Sequence, residues 1–314
     1  MDKTTAPPIR SLLFVPGSDS DQLAVADTLG ADALVLDIEE PRTPFPEAER
    51  VRTRREVGAF LERQTGSGGP LCFVRIQSMS SGCSMRDLDA VVVPGLTGVL
   101  LPKLAGPGDI VALDAMLTCY ETDRDLPRNS IVIYPVLETA QSIREAYEIG
   151  MASPRVAYLG GAISRFGDIH QALGFRWTAE GTETLYLREK VLVDARAAGV
   201  RWPISGMWGG RLDDHDGLTT WCDHLRDLGY FGMMITRPYQ IEFAHRAFTP
   251  TPEEIAFWTD LVALADGAEG MDGPGIRFGE PGQGEVHVVH QAHVGSARKN
   301  LIWARELGLI DSAS

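Results

Sequence analysis

The chain has 314 residues, 44% hydrophobic and 23% charged, the balance of a globular protein with a substantial core. Its formal net charge is −14 and its pI near 4.9. That balance argues against nucleic acid or an anionic membrane surface as a partner, and an anionic substrate would need a local cation. The four cysteines, Cys72, Cys83, Cys119 and Cys222, form no CxxC pair, so neither a zinc knuckle nor a dithiol redox motif is indicated.

MDKTTAPPIR carries no apolar signal core, and no later apolar stretch is long enough to span a bilayer. A cytoplasmic location is expected. From Ser11 onward, apolar runs recur: SLLFVPG, ALVLDIE, LCFVRIQ, GVLLPKL, IVIYPVLE, RVAYLGG, PISGMW and FGMMITRP. Most do not alternate polar with apolar, so both faces are expected to be buried, as in a parallel sheet. Helical patterns lie between them, from DQLAVADTLG after the first to TTWCDHLRDLG after the seventh. The third connection, MRDLDAVVVPG, is the shortest and weakest. Eight strand–helix units predict a (β/α)8 TIM barrel. The structural rival is a doubly wound open sheet, which the count of eight and the missing GxGxxG turn disfavour.

The eight units run from Arg10 to about Phe248. The next helix, TPEEIAFWTDLVALADGAEG, starts at a capping box of Thr251 and Glu254 with Pro252 at its first position. Residues 10–264 are assigned to the catalytic barrel and 265–314 to a C-terminal lid or oligomerisation segment. That segment opens Gly/Pro-rich and closes helical.

Barrel sites form at the C-terminal ends of strands. The polar residues expected there are Ser18 and Asp19; Asp37, Glu39 and Glu40; Arg75 and Gln77; Lys103; Glu138; Arg165 and Asp168; Asp213 and Asp214; and Thr236, Arg237 and Gln240. Acids mixed with a few cations point to an oxyanion substrate held on a metal. Glu138 and Asp168, on adjacent strands, suit octahedral Mg²⁺, which keeps several non-protein ligands. Each also has a helix-capping reading. Arg75, inside an apolar strand, needs a partner. It is either a bidentate clamp on a substrate carboxylate or a buried pair with Asp37 or Glu39. Lys103 has the same two readings. His287, His290 and His293, three apart, would share one face of a helix; a metal site is conceivable there, and a solvated or interfacial stripe is the commoner outcome. HExxH, GxSxG and P-loop motifs are missing.

The ordered set "RSLLFVPGS", "ADALVLDIEEP", "VRIQ", "LPK", "PVLETAQSI", "YLGGAISRFGDIHQALG" and "RPYQIEFAHRAFTPTPEEI" resembles the HpcH/HpaI aldolase and citrate lyase beta-subunit superfamily. It is most similar to the citrate lyase beta-like branch, which includes malyl-CoA and citramalyl-CoA lyases. The resemblance implies a carbon–carbon lyase dependent on Mg²⁺ (or Mn²⁺), often trimeric or hexameric. It implies Glu138 and Asp168 as metal ligands and Arg75 as the residue holding the oxo-acid. It matches Asp37, Glu39 and Glu40 to the acidic strand-two motif, with Ile38 in place of Leu and Glu40 in place of Asp.

The chain departs from the family where Thr236-Arg237-Pro238 replaces the usual Ile-His-Pro. It also lacks a lysine in the first helix, which puts CoA use in question. His290 aligns near the lid Asp that relatives supply to a neighbouring subunit, with Glu285 and Asp272 as looser matches. The expected activity is aldol- or Claisen-type cleavage or condensation of a small hydroxy or oxo acid, free or as its CoA thioester. Arg75, Asp37 and Glu39 would be catalytic, and Arg75, Lys103 and Arg237 would bind substrate. The alternatives are a CoA-independent aldolase using pyruvate or oxaloacetate, and a non-catalytic ligand-binding subunit.

Overall fold

In the computed structural model, residues 1–39, 44–161, 163, 165–267, 276–279, 286–289 and 291–311 are described. The eight apolar runs become β1 (Ser11–Pro16), β2 (Ala33–Asp37), β3 (Leu71–Arg75), β4 (Gly98–Leu101), β5 (Val132–Leu137), β6 (Gly160–Gly161), β7 (Ile204–Ser205) and β8 (Gly232–Ile235). All pair in parallel, in the spatial order β6-β5-β4-β3-β2-β1-β8-β7. β6 and β7 then lie against each other and close the ring. The helices outside are α1 (Ser20–Val25), α2 (Glu47–Gln64), α3 (Ser84–Val91), α4 (Pro107–Asp123), α5 (Ala140–Arg144), α6 (Ala146–Met151), α7 (Asp168–Leu173), α8 (Leu185–Ala197), α9 (His215–Leu228) and α10 (Gln240–Ala247). This is the TIM barrel that the alternating pattern predicts.

β6 and β7 are much shorter than the runs RVAYLGG and PISGMW. Before Gly160 the chain makes only a single bridge, Val156 to Ile133. At the seam, backbone meets backbone so closely that a Cβ on Gly160 would stand 2.1 Å from the Ile204 carbonyl oxygen. Only glycine fits there.

Two buried layers hold the fold. Leu13, Leu34, Leu36, Val74, Val99 and Ile133 face the helices. Leu12, Val35, Phe73, Leu100, Val132, Tyr134, Val136 and Met234 fill the barrel interior. Side chains alternate along a strand. Inward Val35 therefore implies inward Asp37, Phe73 implies Arg75, and Val136 implies Glu138. The same parity that packs the interior carries charged groups to its upper end.

By compactness the chain divides into Met1–Phe248 and Thr249–Ser314. The boundary assigned at 264/265 falls inside α11 (Pro252–Gly267), which belongs to the second unit. The capping box forms as expected: the Glu254 N–H donates to Thr251 Oγ1 at 3.1 Å and the Thr251 N–H to Glu254 Oε2 at 2.8 Å. The second unit also holds the antiparallel pair β9 (Ile276–Gly279) and β10 (Val286–Val289), and α12 (Gln291–Glu306). α11 and α12 pack together, with Trp258 and Trp303 buried 6.5 Å apart. The shared helical face for the three histidines does not form. His287 lies on β10 because the β-branched run VHVV pairs as a strand, and His293 lies on α12. His290, Glu285 and Asp272 lie outside the described residues, as does Glu40. Among the described residues no helix is long and apolar enough to cross a membrane.

Candidate active site

Asp37 and Arg75 stand directly opposite each other in the β2–β3 register. Arg75 Nε donates to Asp37 Oδ1 at 2.9 Å and Nη2 to Oδ2 at 2.6 Å, a bidentate fork. Its Nη1 pairs with Glu39 Oε2 at 2.9 Å, and its guanidinium lies 5.1 Å from the Phe14 ring centroid. Burial alone would lower the Arg75 pKa, but Asp37, Glu39 and Glu138 outweigh it and raise it. Two of the five guanidinium N–H donors are thus hydrogen-bonded to Asp37, while Nη1 is ion-paired with Glu39. The pairing of Arg75 with Asp37 and Glu39 forms, and Arg75 also lines the cavities of this site.

Lys103 follows β4 with a left-handed φ of 51°, uncommon for a residue other than glycine. In that conformation its N–H donates to Glu138 Oε1 at 2.9 Å. Its ammonium bridges Glu39 Oε1 at 2.7 Å and Asp168 Oδ2 at 3.8 Å. Burial lowers the Lys103 pKa, and the bond to Glu39 and the surrounding acids more than restore it, so the net shift is upward.

Glu138 is 4% exposed. It does not cap the following helix, because Thr139 and Ser142 already form the capping box of α5. Burial, reinforced by the neighbouring Glu39, lifts its carboxyl to about 7 against the pull of Arg75. Asp168 is the first residue of α7, whose N-cap is Gly167, so it caps nothing with its side chain. Half-exposed, it faces the same cavity as Glu138.

Two adjoining cavities of about 380 and 420 Å³ open here. Asp37, Arg75 and Asp168 line both. Glu138, Met207 and Arg237 line the first, and Glu39, Lys103 and Phe166 the second. The aromatic and Met linings carried no sequence signal beyond strand parity for Phe14.

Other strand-end residues do structural work. Asp19 caps α1 and Asp214 caps α9. Asp213 pairs with Arg211 at the surface. The Gln77 amide donates to the Ile38 carbonyl, and Gln240 Oε1 accepts the Thr236 and Arg237 N–H groups. Arg165 lies over the Phe166 ring. Ser18 lines the second cavity.

Among the described residues no three His, Cys, Asp or Glu side chains gather as a metal site. Among the described residues Glu138 and Asp168 could serve a divalent ion, with water and substrate completing its shell, which is the habit of Mg²⁺. The donors fit such an ion. Among the described residues Glu138 accepts only the Lys103 N–H, and the four acids Asp37, Glu39, Glu138 and Asp168 outnumber the cations Arg75, Lys103 and Arg237.

A family model described as HpcH/HpaI aldolase/citrate lyase matches residues 10–238. The chain belongs to that family. It is 29% identical over 302 residues to a (3S)-malyl-CoA thioesterase of Cereibacter sphaeroides, covering 96% of each chain. It is 29% identical over 270 residues to the mitochondrial citramalyl-CoA lyase of Rattus norvegicus, covering 82% of this chain and 76% of that one. In fold it is similar to the CitE protein of Mycobacterium tuberculosis, solved in complex with magnesium, acetoacetate and coenzyme A. The TM-score is 0.66 at 23% identity, over 97% of this chain and 99% of that one.

Proposed function

We propose that the protein is a Mg²⁺-dependent carbon–carbon lyase acting on a small hydroxy or oxo acid carried as its CoA thioester. The observation that carries this reading is Glu138, its carboxyl lifted by burial and then by Glu39, lining one cavity with Asp168 and Arg75. Glu138 and Asp168 would hold the ion, which when bound supplies a Lewis acid for a substrate carbonyl or hydroxyl oxygen. Arg75 would present the N–H groups not bonded to Asp37 to the substrate carboxylate. Asp37 and Glu39 hold that guanidinium rigid, so little reorganisation is needed as negative charge develops. Lys103 ties Glu39 to Asp168 and keeps the acids from repelling one another out of register.

Glu138→Ala is expected to abolish Mg²⁺ binding in calorimetry and to abolish turnover, with the circular dichroism spectrum preserved. Full activity of that variant in metal-free buffer would end this reading.

A second reading is hydrolysis of the thioester, supported by the thioesterase relative that matches over nearly the whole chain. Products separate the two. A lyase given malyl-CoA releases a CoA thioester and an aldehyde or oxo acid, and no free thiol appears. A thioesterase adds water across the C–S bond, and free CoA appears with malate. Pyruvate plus an aldehyde as the only accepted pair would favour a CoA-independent aldolase.

A further inference from the structure

Lys103 touches both carboxylates that would hold the ion. Its backbone N–H donates to Glu138 Oε1 at 2.9 Å, and its ammonium stands 3.8 Å from Asp168 Oδ2. One residue makes both contacts from a backbone held at a left-handed φ of 51°. Among the described residues it is the only cation ion-paired with either carboxylate, since Arg75 pairs with Asp37 and Glu39. The two ammonium contacts are unequal. Buried Glu39 lies at 2.7 Å and anchors the ammonium, whereas Asp168 lies 1.1 Å further off and is half-exposed, as Lys103 is. Asp168 can therefore turn away from Lys103 without stranding a charge, because the ammonium keeps Glu39. A divalent ion on Glu138 and Asp168 reverses the sign of the interaction. Attraction between ammonium and carboxylate gives way to repulsion between two neighbouring cations.

We propose that Lys103 sets the affinity of this site for its divalent ion. The ammonium is the counter-cation of Asp168, is released from it when the ion binds, and holds the ion's affinity below what the acids alone would give. This rests on the reading of Glu138 and Asp168 as the ion's ligands. The charge distribution supports it. Arg75 forks onto Asp37 and shares Glu39, so Lys103 balances the part of the acid cluster that the ion enters.

The test measures ion binding to the native protein, Lys103→Met and Lys103→Arg at low ionic strength, with Mg²⁺ by calorimetry and Mn²⁺ by electron paramagnetic resonance. Methionine keeps much of the side chain's length and removes its charge; arginine keeps the charge. Lys103→Met is expected to bind both ions roughly fivefold or more tightly than the native protein, and Lys103→Arg within about twofold of it. Added sodium chloride should narrow the difference, because the half-exposed charge is screened. In scanning calorimetry Lys103→Met should melt below the native protein in EDTA and draw level with it or pass it at saturating Mg²⁺. A merely structural role would leave the same gap in both buffers. If Lys103→Met is unfolded at the assay temperature, Lys103→Gln, whose amide can still bond Glu39, replaces it with the same expectation. Equal or weaker ion binding without the charge, tighter binding in the arginine variant as well, or a melting gap indifferent to Mg²⁺ overturns the role of Lys103 and leaves the ion site standing. Native protein that binds neither ion, or binding that survives Glu138→Ala, overturns the ion site and this inference together.

Discussion

Replacing Glu138 by glutamine removes a charge and keeps the shape, and the amide oxygen can still accept the Lys103 N–H. In the native protein, burial and Glu39 lift this carboxyl from 4.5 to about 7. The folded chain therefore binds the proton more tightly than the unfolded chain between those values. Stability falls as pH rises through that window and levels off above it. At 1.36 kcal/mol per pKa unit, the ionised carboxylate costs the metal-free fold about 3 kcal/mol at pH 8. Glu138→Gln should recover most of that. For a unit of this size the melting temperature should then rise by about 6–12 °C at pH 8. At pH 5 the two proteins should melt nearly together, since Glu138 is then protonated and neutral. Scanning calorimetry in EDTA across pH 5–9 measures the gap. Adding Mg²⁺ at pH 8 should raise the melting temperature of the native protein and leave the variant unmoved, reversing part of the difference. A variant less stable than native at both pH values, or a gap that does not change with pH, would refute the electrostatic reasoning.

Other outcomes follow from the same geometry. Arg75→Lys cannot span both Asp37 oxygens and Glu39, so kcat should fall by about 100-fold or more even though the charge is kept. Gly160→Ala forces a Cβ against the Ile204 carbonyl at the seam and should lower stability by about 3 kcal/mol in urea unfolding. Thr139→Ala removes the capping box of α5 and should cost about 1 kcal/mol in the same assay.

The sequence by itself determined the barrel and most of its mouth. Eight apolar runs, most without alternation, point to a sheet buried on both faces, and helices between them point to parallel pairing. Within ALVLDIE and LCFVRIQ, strand parity ties Asp37 and Arg75 to the same side as Val35 and Phe73, so their meeting was legible from spacing. The fate of each charge was not, because it depends on groups distant in sequence. Whether Glu138 was a cap or a candidate ligand turned on Thr139 and Ser142 closing the helix without it, and on Lys103 turning a backbone N–H toward it. Whether Arg75 was paired or available turned on how many of its donors Asp37 and Glu39 consume. His287 left the helical face because VHVV found a partner strand at Ile276–Gly279. Local spacing sets which side of a strand a residue faces; only tertiary packing sets the burial and the neighbouring charges that decide what an ionisable group there can do.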